Sequence, residues 1–328
     1  MVRFGVIGTN VITERFIEES RYVEDFIVTA VYSRTSERAK EFAEKYGVET
    51  TFTDLESMAT SEEIDAIYIA SPNSFHAEQA LIFMNHGKHV LCEKPIASNA
   101  DELTKMIQAA KDNQVLLMEA LKSTLLPNFQ TVQEHLHKIG TVRRYVASYC
   151  KYSSRYDAYK KGTILNAFNP IFSNGALMDI GVYCIYPLVV LFGKPLRVQG
   201  NGLLLESGID GEGSILLQYE DKEAVIMYSK ITDSHAPSEI QGEKGSIIID
   251  KIHTPEKVEI HYRSGSVEDI TQYQVCHTMS YETQEFINLI KSGKLESTTN
   301  SYAHSLAVME IMDEVRKQVG IVFPSDKK

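Results

Sequence analysis

Short apolar segments alternate with amphipathic ones along residues 1–121. The apolar segments are rich in Val and Ile and have strand length; the candidates are residues 2–7, 27–32, 66–70, 89–92 and 115–118. In between, apolar residues recur at helical spacing, and Gly47 and Gly87 stand where two helices should end. Another helix should begin at Asn99, with Glu102 placed for a capping box. The alternation predicts a doubly wound parallel sheet in an α/β domain over residues 1–121.

The second half of the chain has a different pattern, in which strand-like segments follow one another directly. They are residues 143–153, 197–205, 214–219, 224–229, 245–250 and 257–262. Glycine-containing turns separate several of them, which is typical of hairpins in an antiparallel sheet. Helical patterns cover residues 127–138, 175–192, 281–291 and 302–318. Residues 122–328 are therefore predicted to form an α+β domain with a large, mostly antiparallel open sheet.

Composition narrows the class of partner. The 328 residues carry a formal net charge of -11, which argues against a nucleic-acid partner, although an anionic cofactor needs only a local basic patch. We find no long uninterrupted apolar run and no secretion signal, so a cytoplasmic protein without a membrane partner is expected. The four cysteines (92, 150, 184 and 276) show no paired spacing, and no metal site is expected.

The first strand ends in a degraded dinucleotide-binding fingerprint. Gly8 holds its first position, while Asn10 and Thr13 replace the later glycines. Because Asn tolerates a positive φ, the turn should survive, and the pyrophosphate should meet the helix N-terminus. The predicted cofactor-binding residues in this turn are Gly8, Thr9, Asn10, Val11 and Ile12. The alternative is a plain strand–helix turn without a ligand.

The end of the second strand predicts which dinucleotide binds. An NAD site usually places an acidic residue there, but this chain has none between Asp25 and Glu37. Arg34 instead offers a planar guanidinium suited to a 2′-phosphate, with Ser33 and Thr35 as further donors. We therefore predict NADP as the cofactor, with NAD possible. The alternative is that Arg34 is an ordinary surface residue beside the next helix.

Three further segments carry candidate motifs: Ser71-Pro72-Asn73-Ser74-Phe75-His76, Cys92-Glu93-Lys94-Pro95 and Asn174-Gly175-Ala176-Leu177-Met178-Asp179-Ile180-Gly181-Val182-Tyr183. Glu-Lys-Pro alone is a weak signal, but at the end of the fourth strand and with a later Asp-x-Gly-x-Tyr it becomes specific. Together the three segments resemble the glucose–fructose oxidoreductase and inositol dehydrogenase (Gfo/Idh/MocA) family over nearly the whole chain.

The resemblance implies roles for these residues. Lys94 would be the catalytic lysine at the reacting oxygen, and Glu93 and Pro95 would shape the nicotinamide pocket. Many members have histidine where this chain has Tyr183. Tyrosine at that position looks like the dimeric dihydrodiol dehydrogenase and glucose–fructose oxidoreductase branch, where tyrosine is the expected proton donor. The segment lying along the cofactor would comprise Ser71, Pro72, Asn73 and His76. The C-terminal sheet would cover the active site and form a homodimer or homotetramer.

The same residues make chemical sense by themselves. Hydride transfer to a carbonyl leaves an alkoxide that needs a proton and a nearby positive charge. The ammonium of Lys94 would favour the ionised phenol of Tyr183 and so lower its pKa. Asp179 lies four residues before Tyr183, on the same helix face, and would orient or tune the pair. The alternatives are a solvated loop lysine, a core tyrosine and an aspartate paired with a structural arginine.

The substrate is less well defined. The dihydrodiol dehydrogenase-like branch tends to have tryptophan near Lys122 and arginine near Thr124, so this pocket should be lined differently. The predicted substrate contacts are Arg155, Lys122 and Asn169. We expect an NAD(P)-dependent oxidoreductase acting on a small sugar, polyol or dihydrodiol-like alcohol or carbonyl. Two alternatives remain: a non-catalytic dinucleotide-sensing regulator on the same fold, and a redox-assisted glycosidase or epimerase without net cofactor turnover.

Overall fold

The computed structural model describes residues 1–327 and divides the chain into two compact units. The first unit comprises residues 1–122 and 276–302, and the second comprises residues 123–275 and the chain from Ala303 onward. The sequence pattern had placed everything after residue 121 in one domain. The structure differs in that residues 276–302 return to the first unit.

The first unit contains a six-stranded sheet in the order β3-β2-β1-β4-β5-β6, and all its paired strands are parallel. Its strands are β1 (Val2–Ile7), β2 (Phe26–Tyr32), β3 (Thr50–Phe52), β4 (Ala66–Ile69), β5 (His89–Glu93) and β6 (Leu117–Ala120). Its helices are α1 (Val11–Ser20), α2 (Ser36–Tyr46), α3 (Leu55–Ala59), α4 (His76–Asn85) and α5 (Ala100–Asp112). This is the doubly wound order of dinucleotide-binding domains, in which the strand order reverses between β1 and β4.

The second unit is built on an eight-stranded sheet in the order β14-β13-β12-β11-β7-β10-β9-β8. Its strands are β7 (Val142–Cys150), β8 (Arg197–Leu204), β9 (Asp210–Gln218), β10 (Glu223–Ser229), β11 (Ser238–Gly242), β12 (Gly245–Ile249), β13 (Val258–Tyr262) and β14 (Val267–Asp269). Only β7 and β10 pair in parallel. The helices of this unit that precede β8 in the chain are α6 (Pro127–His135), α7 (Ser154–Lys160) and α8 (Val182–Phe192). The predicted fold class of both halves is confirmed.

The last two long helices belong to different units. Helix α9 (Met279–Lys291) packs on the first sheet, where the Phe286 ring lies 5.7 Å from the ring of Phe4. Thr283 also shares a 2.7 Å hydrogen bond with Ser20 of α1. Helix α10 (Tyr302–Val319) packs on the second sheet, and Gly200 of β8 leaves room for Val315. These contacts explain why residues 276–302 return to the first unit.

One face of the second sheet is covered by helices and the other is not. On the covered face, the Tyr145 hydroxyl of β7 donates to the Cys184 carbonyl of α8 at 3.0 Å. Residues 170–192 are long and apolar enough to cross a membrane by composition, but 72% of their most apolar window is buried. Such burial is typical of a core helix. The opposite face of the sheet exposes apolar side chains, among them Leu216 and Met227.

Candidate functional site

The turn after β1 brings backbone unusually close to the end of β4. Gly8 has φ +105°, and a Cβ there would lie only 2.7 Å from the Ala70 carbonyl oxygen. A glycine is therefore required by both conformation and space. The turn stands beside the point where the strand order reverses, which is where open α/β sheets bind ligands.

Asn10 occupies the second glycine position of the fingerprint, but its role in the turn differs from that of a glycine. The turn survives, but Asn10, with a φ of -115° that is ordinary for any residue, makes no use of the tolerance of Asn for a positive φ. Its Oδ1 caps α1 by accepting from Ile12 N at 3.0 Å and Thr13 N at 3.2 Å. Its Nδ2 donates to the Ala70 carbonyl at 2.7 Å. Asn10 thus stabilises the turn with its side chain, where a glycine would only permit it.

Two guanidinium groups follow β2, that of Arg34 in the connection and that of Arg38 in the first turn of α2. Arg34 is exposed, and Thr35 caps α2 by accepting from the Arg38 amide at 3.4 Å. The Arg38 guanidinium donates to the Thr9 hydroxyl at 3.2 Å and to the Thr9 carbonyl at 2.7 Å. Ser33 donates its amide to the Phe52 carbonyl at 3.1 Å and so belongs to the sheet edge. The cofactor contact of Arg34 stays a prediction, and the sequence did not draw attention to Arg38, which lies four residues further on.

His76 ties together the two loops that resemble the family motifs. It is fully buried; its Nε2 faces the Ser71 carbonyl at 2.9 Å and its Nδ1 faces the Pro95 carbonyl at 3.0 Å. Burial lowers the pKa of His76, although both carbonyls favour its charged form. The Ser71 hydroxyl donates to Gln79 at 2.7 Å. His76 therefore holds the loops after β4 and β5 together from inside the unit, next to Pro72 and Asn73.

Buried carboxylates hold the segment that carries Lys94. Glu93 accepts from the Tyr68 hydroxyl at 2.6 Å and from the Lys94 amide at 3.2 Å. Burial raises the pKa of Glu93, while the charge of Lys94 opposes that rise. Beyond Pro95, the Ile96 amide donates to Glu119 at 3.1 Å. The backbone on both sides of the Lys94–Pro95 bond is thereby fixed to the sheet.

Lys122 lies inside the first unit at the start of α9. Its ammonium donates to the Thr278 hydroxyl at 2.7 Å, and Arg15 donates to the same hydroxyl at 3.2 Å. Burial lowers the pKa of Lys122, and the charge of Arg15 lowers it further. Nearby, burial raises the pKa of the Glu282 carboxyl well above its usual value. The predicted substrate contact of Lys122 stays a prediction, and the observed partners place it in an internal network.

In the second unit, Asp179 and Tyr183 lie on one helical segment with an irregular start. Residues Leu177–Gly181 form a π-helical turn, in which the Val182 amide donates to the Leu177 carbonyl five residues back. Such turns occur often at functional sites. Asp179 and Tyr183 are both half-buried.

A buried carboxylate begins that segment. Asp210 accepts from the Ala176 amide at 3.1 Å and the Leu177 amide at 2.7 Å. Burial raises the pKa of Asp210 to about 6. Gly175 has φ +141°, and any Cβ there would collide with the Asp210 carboxylate. Gly175 therefore makes room for a carboxylate of β9.

Aromatic rings surround Tyr183. Tyr149 of β7 lies edge-on to it with ring centroids 5.7 Å apart, and His253 lies 6.3 Å away in the same manner. Tyr149 and His253 stack on each other at 4.0 Å. These two rings were missed, because they lie far from the motif in sequence and no local pattern marks them.

Asp179 has a partner that sequence reasoning also missed. Lys230, directly after β10, donates to Asp179 Oδ2 at 2.7 Å. The predicted contacts Arg155 and Asn169 lie on surface elements of the same unit. Arg155 is exposed on α7, while Asn169 Oδ1 accepts from the Ile171 amide at 3.0 Å. Within residues 1–327, no three His, Cys, Asp or Glu side chains are arranged to hold a metal ion.

Two family models match the chain. The oxidoreductase family with an NAD-binding Rossmann fold (GFO/IDH/MocA) matches residues 2–121, and the GFO/IDH/MocA C-terminal domain matches residues 129–248.

Individual proteins match along almost their whole length. The chain is 60% identical over 327 residues to scyllo-inositol 2-dehydrogenase (NADP(+)) IolU from Bacillus subtilis, covering 100% of both chains. It is 30% identical to trans-1,2-dihydrobenzene-1,2-diol dehydrogenase from Xenopus laevis, covering 98% of this chain and 99% of that one. Among solved structures, KijD10, a 3-ketoreductase from Actinomadura kijaniata in complex with NADP and TDP-benzene, has a TM-score of 0.84 at 25% identity and covers 97% and 98% of the two chains.

Proposed function

We propose, from the premise that the chain belongs to the GFO/IDH/MocA family of oxidoreductases, that it interconverts a cyclic polyol and its ketone with NADP(H). The observation that carries the proposal is 60% identity, over 100% of both chains, to an NADP-dependent scyllo-inositol dehydrogenase. A ring of secondary alcohols such as scyllo-inositol is accordingly the proposed substrate class.

The first unit fits a bound dinucleotide. The Gly8 turn lets backbone approach a pyrophosphate at the N-terminus of α1, and Arg34 and Arg38 put positive charge at the end of β2. Thr9, Asn10, Val11 and Ile12 would hold the pyrophosphate end, and Ser33, Arg34 and Thr35 the 2′-phosphate end. When bound, NADP⁺ supplies the ring carbon that accepts the hydride.

Lys94 and Tyr183 are proposed to handle the proton. In the oxidative direction, the hydrogen on the alcohol carbon leaves as a hydride with both electrons of the C–H bond. The O–H proton passes to the ionised Tyr183, and the C=O bond forms. The ammonium of Lys94 stabilises negative charge on the reacting oxygen and favours the ionised phenol. In the reductive direction, Tyr183 returns the proton to the alkoxide. Asp179 orients the reacting groups.

Removing the Arg34 guanidinium tests the choice of cofactor. Arg34→Ala is expected to weaken NADPH binding about tenfold or more, because a charge-assisted contact to the 2′-phosphate is lost. NADH lacks that phosphate, so its affinity should stay within about twofold. Fluorescence titration of wild type and variant with both reduced dinucleotides measures the difference.

The matched control for this test is Lys40→Ala, which removes an exposed cation from α2, the helix that follows Arg34. It should leave both affinities unchanged. Wild-type protein that binds NADH as tightly as NADPH, or an Arg34→Ala variant that loses both equally, would contradict the role of Arg34 in recognising the 2′-phosphate.

The uncovered face of the second sheet is the proposed interface between copies of the chain. Leu216 is 52% exposed and pairs in register with Val225, which pairs in turn with Val146. An apolar row of this kind on one sheet face fits a second copy of the same face in a homodimer or homotetramer. Leu216→Lys should shift the species seen in analytical ultracentrifugation toward monomer; an unchanged distribution would argue for another interface.

A further inference from the structure

Lys230 is a buried lysine. It follows β10 directly, and only 2% of the residue is exposed. Lysine is almost never fully buried unless it is paired, because removing an ammonium from water is costly. The partners of Lys230 therefore indicate why the chain keeps it there.

Those partners all belong to the second unit and meet at the ammonium. Its Nζ donates to Asp179 Oδ2 at 2.7 Å and approaches the Ala167 carbonyl at 3.3 Å. The same nitrogen lies 5.1 Å from the centre of the Phe168 ring. The Lys230 side chain is 3% exposed while that of Asp179 is 38% exposed, so the ion pair runs from the interior outward.

The ammonium of Lys230 also acts electrostatically on a second carboxyl group, that of Asp210. Burial raises the pKa of Asp210 to about 6, and the positive charge of Lys230 acts against that rise. The Tyr228 phenol, whose pKa burial raises well above its usual value, lies beside Asp210. Tyr183 lies further along the helical segment that carries Asp179. Lys230 thus forms an ion pair with Asp179 and acts electrostatically on Asp210.

Stability alone is a weak reason for this arrangement. Replacing a buried ion pair with apolar residues often leaves the stability of the fold unchanged or raises it. Removing only one partner lowers that stability, because the other charge stays buried without a counter-charge. Here the carboxylate of Asp179 is half-buried, and it lies on the segment that carries the proposed proton donor. Its orientation and charge matter to the chemistry more than to the core.

We propose that Lys230 is a positioning residue for the reaction, which fixes one oxygen of Asp179 and keeps that carboxylate ionised and oriented beside the substrate. This inference rests on the proposed function, because it acts through Asp179. Lys230 itself is too deeply buried to touch a substrate.

The direct test is the titration of Asp179, which needs no turnover. An ammonium 2.7 Å from a carboxylate favours its ionised form, so losing it must raise the pH at which the carboxylate takes up a proton. Carbon-13 NMR of protein labelled at aspartate carboxyl carbons follows this, with Asp179 identified by its missing signal in Asp179→Asn. Lys230→Met should move the Asp179 midpoint upward by about one pH unit or more.

Lys222→Met is the matched control. Lys222 is also a largely buried lysine of the second unit, with its ammonium 5.5 Å from the Phe192 ring centre and an ion pair to Asp221. Its removal should leave the Asp179 midpoint and the activity unchanged. If Lys230→Met fails to fold, Lys230→Gln removes the charge but keeps a hydrogen-bond donor, and the same shift is expected.

Kinetics then shows whether the positioning matters. With scyllo-inositol and NADP⁺, Lys230→Met should lower kcat about tenfold near neutral pH and shift the acid limb of the profile upward, with NADPH affinity unchanged. In an Asp179→Asn background the same substitution should have little further effect, because its target is gone.

An Asp179 midpoint that is the same in wild type and in the charge-removing Lys230 variant would overturn the proposal. So would full additivity of the two substitutions in kcat. A shifted midpoint in protein that fails to turn over scyllo-inositol would instead uphold the positioning of Asp179 and count against the proposed substrate. The two failures are therefore distinguishable.

Discussion

Lys94→Ala is expected to lower kcat for scyllo-inositol oxidation by about 10³-fold, because it removes the charge that we propose stabilises the developing alkoxide and favours the ionised Tyr183. Affinity for NADPH should change by only a few-fold, since the residues proposed to bind the pyrophosphate and the 2′-phosphate lie elsewhere in the unit. Stopped-flow kinetics and dinucleotide titration on the same preparation separate the two effects.

The fold should survive this substitution. The backbone around Lys94 is held by Glu93, His76 and Glu119, whose bonds run to main-chain atoms and do not need the ammonium. Lys105→Ala, which removes an exposed lysine of α5, is the control and should retain full activity. Turnover by Lys94→Ala within about tenfold of wild type would remove Lys94 from the mechanism.

Tyr183→Phe is expected to lower kcat by about 100-fold or more, because the phenolic oxygen proposed to exchange the proton is lost. The ring contacts with Tyr149 and His253 remain, so the thermal midpoint should change little. The pH–rate profile gives a sharper test than the rate alone. If Tyr183 is the proton acceptor, the rise of the oxidation rate with pH that depends on its phenol should disappear in the variant.

The control for Tyr183 is Tyr273→Phe, which removes a hydroxyl from a side chain that is 86% exposed. It should match wild type in rate and profile. A Tyr183→Phe variant that keeps the wild-type pH dependence would assign the proton to another group.

The fold was readable from the sequence wherever a strand is long and apolar. The strands of the first sheet with Val and Ile runs were predicted to within a few residues, whereas β3 was missed because Thr50–Phe52 is short and polar. In the second sheet, β11 and β14 were missed for the same reason, since Ser238–Gly242 and Val267–Asp269 mix polar and charged residues. Backbone pairing with neighbouring strands, which no local pattern reveals, makes these segments strands.

The return of α9 to the first unit could not be predicted either. Its helical pattern was recognised, but periodicity tells only that one face is buried and not which sheet covers it. That choice depends on the fit of Phe286 beside Phe4 and of Thr283 beside Ser20, residues more than two hundred positions apart.

The residues of the candidate site also divide into those that a local sequence pattern could predict and those that it could not. Gly8, Lys94 and Tyr183 belong to short motifs, so their family resemblance was visible and is confirmed at the level of the family. Arg38, Asp210 and Lys230 are single residues whose meaning comes from contacts with residues distant in the sequence. A lysine after a predicted strand is normally solvated, and nothing in the sequence distinguishes Lys230 from such a residue.

The most direct test of hydride transfer uses fully deuterated scyllo-inositol with NADP⁺ and the wild-type protein, followed by mass spectrometry of the reduced dinucleotide and the polyol product. We predict one deuterium in each NADPH formed and an equal amount of the deuterated cyclic ketone. Dinucleotide that binds but gains no deuterium would favour a sensor. A changed polyol without net NADPH would favour redox-neutral epimerisation. Either result would contradict the dehydrogenase function proposed for this chain.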